Sequence, residues 1–170
     1  MHAHTITSLE TELPKYALSE EQEKKEILRK YRALLRCLHP KLKRGDKELV
    51  RTAFEMAAEA HKTMRRKSGE PYIFHPLAVA RICVEEIGLG VRSTICSLMH
   101  DTVEDTDITI EDVEREFGTE IARIVGGLTK ISSVIYTNVS QQAENFKKIL
   151  LTLTDDPRVI LIKLADRLHN

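Results

Sequence analysis

The densest group of residues that could do chemistry lies at positions 100–105. His100 and Asp101 are adjacent, and Glu104 and Asp105 follow them at a spacing of four positions. If a helix continues through this segment, these side chains share one face. Crowded carboxylates repel one another unless a cation joins them, and imidazole with carboxylate suits Mn²⁺, Fe²⁺ or Zn²⁺. The alternative interpretation is a histidine at a helix end beside a capping aspartate.

Two further residues could complete a metal site. His75 stands at the predicted start of a helix, and Asp166 lies in an apolar helical stretch near the end of the chain. A carboxylate on an apolar helix needs a partner, because burying it alone is costly. A salt bridge from Lys163 or Arg167 would supply that partner. A metal ion shared with His75 and the adjacent His-Asp pair is the other explanation.

A short basic run precedes His75 in the chain. Arg65, Arg66 and Lys67 are followed by Ser-Gly-Glu-Pro at 68–71, which predicts a break in helical structure. Arginine grips phosphate with two parallel hydrogen bonds, so the run could form the basic wall of a site for a polyanion. A solvated helix end, favoured by the negative end of the helix dipole, is the alternative.

The distribution of charge agrees with such a two-sided site. The net charge of the 170 residues is zero, but residues 1–70 hold 16 Lys and Arg against 11 Asp and Glu. Residues 71–170 hold 10 against 15, and eight of those carboxylates lie between positions 101 and 116. No broad basic stripe for duplex nucleic acid is present.

Composition excludes several classes of protein. No apolar run approaches the roughly 18 residues that a membrane span needs, and the N-terminus lacks the apolar core of a signal peptide. The three cysteines form no CxxC pair. We therefore expect free thiols in a reducing, cytoplasmic compartment, with Cys83 and Cys96 in the core. Dinucleotide-binding, P-loop, nucleophile-elbow and HExxH motifs are all missing from the sequence.

Apolar residues recur at helical spacing along most of the chain, which predicts an all-α fold. Residues 1–18 are predicted to be a loose lead-in, and 19–170 one helical domain. Ser19 opens a capping box, Asp46 and Thr109 are predicted caps, and Gly118 ends a helix. A polar loop is expected at 132–140, followed by helices near 140–153 and 156–170. The chain ends within this last amphipathic pattern, so we expect a domain of a longer protein.

Five segments in order resemble one known family. They are the run from Gly69 to Ala80 around His75, HDTVEDT at 100–106, FGxEIA at 117–122, GLTK at 127–130 and ADRLHN at 165–170. Over about residues 20–170 the chain resembles the hydrolase domain of the RelA/SpoT proteins, within the HD superfamily of metal-dependent phosphohydrolases. In the long members of that family, this domain precedes a (p)ppGpp synthetase domain.

The resemblance implies a role for each matching residue. His75, His100, Asp101 and Asp166 would bind one Mn²⁺, and Glu104 and Asp105 would act as catalytic carboxylates beside it. The substrate guanosine tetra- or pentaphosphate would be held by a further set: Arg66, Lys67, Ser68 and Asn170.

Three functions follow from these expectations. The first is hydrolysis of (p)ppGpp to GDP or GTP and pyrophosphate. The second is another phosphohydrolase of the HD superfamily, such as a nucleotidase or an NADPH phosphatase, which would share the metal but not the guanine preference. The third is a regulatory domain that retains a metal site without turnover.

Overall fold

A computed structural model describes residues 17–135 and 155–170, together with residues 144, 146 and 151. This part of the chain is helical and contains no β-strand, so the predicted all-α fold is confirmed. Its one extended contact is an isolated bridge between Arg65 and Pro71. The α-helices are α1 (Glu20–Leu38), α2 (Asp46–Ala60), α3 (Phe74–Glu85), α4 (Val91–Met99), α5 (Thr102–Asp105), α6 (Ile110–Phe117), α7 (Thr119–Ile135) and α8 (Pro157–His169), with a 3₁₀ turn at His39–Lys41.

Most of the predicted helix boundaries hold. The side chain of Ser19 accepts a hydrogen bond from the Gln22 backbone, and Thr109 does the same with Asp112, so the predicted capping box at Ser19 and the predicted cap at Thr109 are confirmed, the latter also as a capping box. Gly118 ends α6 with φ 88°. The predicted cap at Asp46 is wrong, because Gly45 with φ 86° is the cap and Asp46 is the first helical residue.

The helix α3 lies at the centre of the fold. It packs against α1, α4 and α8, while α4 also packs against α2. Eight of the twelve residues of α3 and seven of the nine residues of α4 are buried, so side chains on most of their faces point into protein. Burying each large apolar side chain contributes roughly 1.5–3 kcal/mol. The packing of α3 against α4 holds the start of α3 beside the end of α4.

The C-terminal part of the described chain differs from the prediction in one respect. Helix α7 continues to Ile135, so the loop predicted from Ser132 is wrong over its first four residues. Ile131 and Ser132 are buried, which keeps this last turn of α7 against the protein. The rest of that loop, the helix predicted near 140–153 (apart from residues 144, 146 and 151) and residues 1–16 of the lead-in lie outside the described residues.

The cysteines fit the expectation from composition. Cys83 and Cys96 are buried core residues, and all three thiols are free. Among the helices described, none has the length and apolar character to cross a membrane.

Candidate metal centre

Four sequence-predicted side chains converge where α3, α4 and α8 meet. His75 is the second residue of α3, His100 caps the C-terminus of α4, and Asp101 is the N-cap of α5. Asp166 lies in the last turn of α8. The packing of α3 against both α4 and α8 therefore brings together residues that are far apart in the sequence.

The two histidines and two aspartates form a compact alternating group. Asp101 Oδ2 lies 3.0 Å from His100 Nε2, and Asp166 Oδ1 lies 3.0 Å from His75 Nε2. The crossed distances are 3.7 Å from His75 Nε2 to Asp101 Oδ2 and 3.8 Å from His100 Nε2 to Asp166 Oδ1. Ligand atoms of His75, His100 and Asp101 all lie within 4.8 Å of one another. One cation could therefore contact these three residues, and Asp166 Oδ1 lies close to both histidines.

The hydrogen bonds of His100 fit it for a metal ligand. Its Nδ1 lies 2.6 Å from the carbonyl oxygen of Ser97, which accepts the Nδ1 proton. That tautomer leaves a lone pair on Nε2, and Nε2 is buried without a hydrogen-bond partner among the described residues. A metal-binding histidine commonly donates its other ring N–H to a carbonyl in this way. The donor set of imidazole nitrogens and carboxylate oxygens suits a divalent transition metal.

Both aspartates of the group are held in the ionised form. Burial disfavours the charged form of His100, but the adjacent carboxylates of Asp101 and Asp166 outweigh this and raise its pKa to about 10, so in the absence of a cation Nε2 carries a proton. Burial would raise the pKa of Asp101, yet His100 and Tyr72 bring it down to about 2. The pKa of Asp166 lies well below its usual range despite burial, because His100, His75 and Lys163 favour the carboxylate. The two carboxylates thus attract positive charge to this point.

The salt bridge offered as an alternative for Asp166 also exists. Lys163 Nζ lies 2.7 Å from Asp166 Oδ2, while Asp166 Oδ1 faces His75. The two interpretations therefore do not exclude each other, because each uses a different oxygen of the same carboxylate.

Tyr72 is a residue of the site that sequence reasoning missed. Its hydroxyl donates to Asp101 Oδ2 at 2.7 Å and to Asp105 Oδ2 at 3.2 Å. Burial and the charges of both aspartates raise the pKa of Tyr72 far above its ordinary value, so the phenol stays a donor. The ring stacks on His61 at 4.6 Å between centroids. Its sequence signals were its position three residues before His75 and its place in the run from Gly69 to Ala80.

Glu104 and Asp105 lie on the short helix α5 that follows the His-Asp pair. Both side chains are exposed at the edge of the group. Burial and the neighbouring charges of Asp101 and Asp105 raise the pKa of Glu104, although a hydrogen bond with Ser132 opposes this. A carboxyl group in this position can act as a general acid or base.

The basic run divides into residues that face different ways. Arg65 pairs with Glu23 of α1 through both of its terminal nitrogens. The backbone N–H of Arg66 donates to Glu70, and its carbonyl accepts from Gly69, whose φ of 90° favours glycine. Lys67 occupies a corner of the resulting tight turn. The break predicted at 68–71 is therefore a reversal of the chain that exposes its tip.

Asn170 links this turn to the group of two histidines and two aspartates. Its Oδ1 accepts from Arg66 Nη2 at 2.9 Å, and its Nδ2 donates to Asp166 Oδ1 at 2.8 Å. Arg66 and Asn170 are thus brought to the group. Lys67 and Ser68 are exposed, and within the described residues they make no hydrogen bond or ion pair with the four central side chains.

His169 is the second residue that sequence reasoning missed. Its Nδ1 lies 2.8 Å from Nδ1 of His75. Burial, followed by the charges of His75 and Arg66, lowers the pKa of His169 and favours its neutral form. Only the ADRLHN segment as a whole pointed to it.

Asp105 also lines a cleft of about 820 Å³ between the end of α2 and the α5–α6 segment. Further carboxylates line this cleft: Glu55, Glu59, Asp107 and Asp112. A polyanion is therefore repelled from this cleft and is better matched by the turn at Arg66.

Comparison with known proteins places these features in context. The sequence profile described as HD domain matches residues 53–170. A guanosine-3′,5′-bis(diphosphate) 3′-pyrophosphohydrolase from Aquifex aeolicus is 48% identical over 123 residues, covering 72% of this chain and 17% of that protein. A GTP pyrophosphokinase from Streptomyces coelicolor is 41% identical over 137 residues, covering 81% of this chain and 16% of that protein. The chain spans about a sixth of the length of these curated relatives.

A solved structure is also similar. It is that of a metazoan ortholog of SpoT, described as hydrolyzing ppGpp and playing a role in starvation responses. It aligns with a TM-score of 0.56 and 31% identity, covering 72% of this chain and 67% of that chain. The resemblance to the RelA/SpoT family that the five segments indicate is confirmed by these similarities.

Proposed function

The chain belongs to the HD domain family, and from this premise we propose that it hydrolyses (p)ppGpp at the 3′ pyrophosphate in a Mn²⁺-dependent reaction. The observation that carries the proposal is the convergence of two histidines and two aspartates with paired distances of 3.0 Å. The names of the relatives from Aquifex aeolicus and of the metazoan ortholog support the choice of substrate.

Four side chains would hold the ion: His75, His100, Asp101 and Asp166. When bound, a divalent ion supplies a Lewis acid for phosphoryl oxygens and lowers the pKa of water. Mn²⁺ suits this mixture of imidazole nitrogen and carboxylate oxygen. The assignment is supported by the buried Nε2 of His100, which has no hydrogen-bond partner among the described residues, because an unsatisfied buried polar atom is costly.

Glu104 and Asp105 would handle the proton of the attacking water. The water oxygen bonds to the phosphorus next to the ribose, the bond from that phosphorus to the 3′ oxygen breaks, and the 3′ oxygen takes up a proton. A carboxylate beside the group can accept the first proton and return it to the leaving oxygen. The raised pKa of Glu104 suits that exchange, and the Tyr72 hydroxyl holds Asp105 in place.

The turn at Arg66 would bind the nucleotide, together with Asn170. Arg66 is already hydrogen-bonded to Asn170, so the turn lies within two side chains of Asp166. Lys67 and Ser68 are exposed at its tip, where an ammonium and a hydroxyl can meet phosphate oxygens. A substrate held this way would present its 3′ pyrophosphate to the two histidines and two aspartates. Its 5′ phosphates would not be hydrolysed.

The wider setting completes the proposal. We assign residues 19–170 to one hydrolase domain and expect a (p)ppGpp synthetase domain downstream in the whole protein. The free thiols and the nucleotide substrate favour a cytoplasmic location. Neither duplex nucleic acid nor a membrane is an expected partner of this domain.

The reaction products test the proposal directly. Incubation of ppGpp with the protein and Mn²⁺, followed by anion-exchange analysis, should give GDP and pyrophosphate, and a chelator should stop the reaction. Orthophosphate as the first product would overturn the assignment in favour of another phosphohydrolase of the HD superfamily. A chain that binds Mn²⁺ without turning over ppGpp would favour a regulatory domain.

Nucleotide binding tests the turn separately. The Arg66→Ala/Lys67→Ala double variant should bind ppGpp more weakly, and the difference should shrink as salt screens the charges. The matched control is Arg44→Ala/Lys47→Ala, which removes the same two charges from an exposed surface at the start of α2. Equal ppGpp affinities for the two double variants would indicate instead that Arg66 and Lys67 form a solvated surface and do not bind the nucleotide.

A further inference from the structure

The two imidazoles of His75 and His169 form one hydrogen-bonded pair. Their Nδ1 atoms are 2.8 Å apart, and their rings lie at 34° with centroids 5.0 Å apart. Two ring nitrogens at this distance share a single proton, so one ring donates and the other accepts. The position of that proton decides which nitrogen of His75 keeps a lone pair.

With a cation bound to the group, His75 must be the donor of this pair. Its Nε2 faces Asp166 at 3.0 Å and Asp101 at 3.7 Å, which is the side of the proposed cation. A cation needs the lone pair of that Nε2, so the ring proton must sit on Nδ1. His169 must then present an unprotonated Nδ1 and carry its own proton on Nε2.

In two other buried histidines, a backbone carbonyl lies at hydrogen-bonding distance from Nδ1. His100 donates its Nδ1 proton to the carbonyl of Ser97, and His61 Nδ1 lies 2.9 Å from the carbonyl of Ala57. Both carbonyls lie one helical turn earlier on the same helix. His75 stands in the first turn of α3, where the preceding residues belong to the loop. Its acceptor comes instead from a side chain of α8.

We propose that His169 is a positioning residue that holds His75 in the tautomer with a free Nε2. His169 follows Asp166 by three positions, so one turn of α8 supplies both a ligand and the acceptor that orients a second ligand. The inference rests on the proposed metal site, but it does not depend on which nucleotide is hydrolysed.

Two substitutions separate this role from simple packing. His169→Phe keeps a ring but removes the acceptor, whereas His169→Asn keeps an acceptor oxygen close to the position of Nδ1. His169→Phe should weaken Mn²⁺ binding about 10–100-fold, as expected for loss of an outer partner of a ligand. His169→Asn should stay within about threefold of the original chain. His39→Phe, which removes an exposed histidine at the end of α1, is the control and should leave the affinity unchanged.

The tautomer itself gives a readout that does not require activity. Two-bond ¹H–¹⁵N correlation of the protein loaded with Zn²⁺, a diamagnetic ion, should show His75 protonated on Nδ1 in the original chain and in His169→Asn. In His169→Phe at the same Zn²⁺ concentration, the spectrum should show unloaded His75 with a proton on Nε2, where Asp166 Oδ1 accepts it. Circular dichroism establishes that each variant is folded.

Each outcome decides the inference. If His169→Phe leaves both the Mn²⁺ affinity and the His75 tautomer unchanged, the inference is overturned. It is also overturned if His169→Asn is as defective as His169→Phe, because the acceptor then does not matter. Failure of the proposed reaction would look different: the Mn²⁺ affinities and tautomers would follow this pattern while ppGpp stayed intact.

Discussion

Removing the hydroxyl of Tyr72 should destabilise the protein by an amount that can be worked out from its two hydrogen bonds. Tyr72→Phe deletes a donor shared by Asp101 at 2.7 Å and Asp105 at 3.2 Å. The stack of the ring on His61 needs no hydroxyl, so the substitution removes hydrogen bonding and little packing.

The shorter bond carries most of the expected effect. A hydrogen bond to a charged group contributes about 1.5–3 kcal/mol. The longer bond adds less because Asp105 is exposed and water replaces the donor there. We therefore expect a loss of about 2 kcal/mol from the free energy of unfolding of the metal-free protein. For a chain of this size, that is a fall in Tm of about 4–8 °C.

Thermal unfolding followed by circular dichroism in the presence of a chelator measures this loss. Tyr31→Phe is the matched control, because Tyr31 is buried and stacked on Phe54 but its hydroxyl donates no hydrogen bond among the described residues. A fall in Tm for Tyr72→Phe no larger than for Tyr31→Phe would refute the reasoning. It would mean that water supplies the two aspartates with an equivalent donor.

Four further substitutions test the site and the start of α8. His100→Ala should abolish Mn²⁺ uptake after dialysis, and equal uptake by variant and original chain would remove the metal site. Glu104→Gln or Asp105→Asn should lower turnover by about 10²–10⁴-fold while Mn²⁺ affinity stays within a few-fold, and loss of Mn²⁺ binding would make either residue a ligand. Asp156→Asn should lower stability to urea at pH 7 but not in acid, because hydrogen bonding to Arg158 lowers the pKa of Asp156. That stabilisation is present above the unfolded pKa near 4 and is lost as pH falls through the lower folded value, so a deficit that persists in acid contradicts it.

Local signals in the sequence predicted local structure well. The capping boxes at Ser19 and Thr109 and the stop at Gly118 depend on residues within four positions of one another, and all three form. The predicted cap of α2 was wrong because the Asp46 carboxylate accepts a hydrogen bond from the Lys43 backbone. Gly45 is the cap and adopts a positive φ.

The central residues could be predicted by type, but their partners could not. Histidine and aspartate in helical or apolar segments are candidate metal ligands on the basis of residue type alone. Tyr72 and His169 are ordinary residues until the fold brings them to partners 29 and 94 positions away. No periodicity in the sequence records such contacts.

The basic run shows the same limit at short range. Arg65 and Arg66 are adjacent, yet one pairs with Glu23 and the other with Asn170. The isolated bridge from Arg65 to Pro71 marks extended backbone, where successive side chains point to opposite sides. Composition could identify a cationic segment, but only the backbone conformation decides which arginine faces the site.

The distance in sequence between the four central residues has a consequence for the order of folding. His75, His100 and Asp101 lie on neighbouring helices, whereas Asp166 joins them only after 64 intervening residues have been closed into a loop. Closing a loop of that length costs entropy before any contact repays it, so docking of α8 is expected late. A cation at the proposed site would meet all four residues only after that step. The cation should therefore slow unfolding and leave the refolding rate unchanged, because it stabilises the native state and not the transition state for folding.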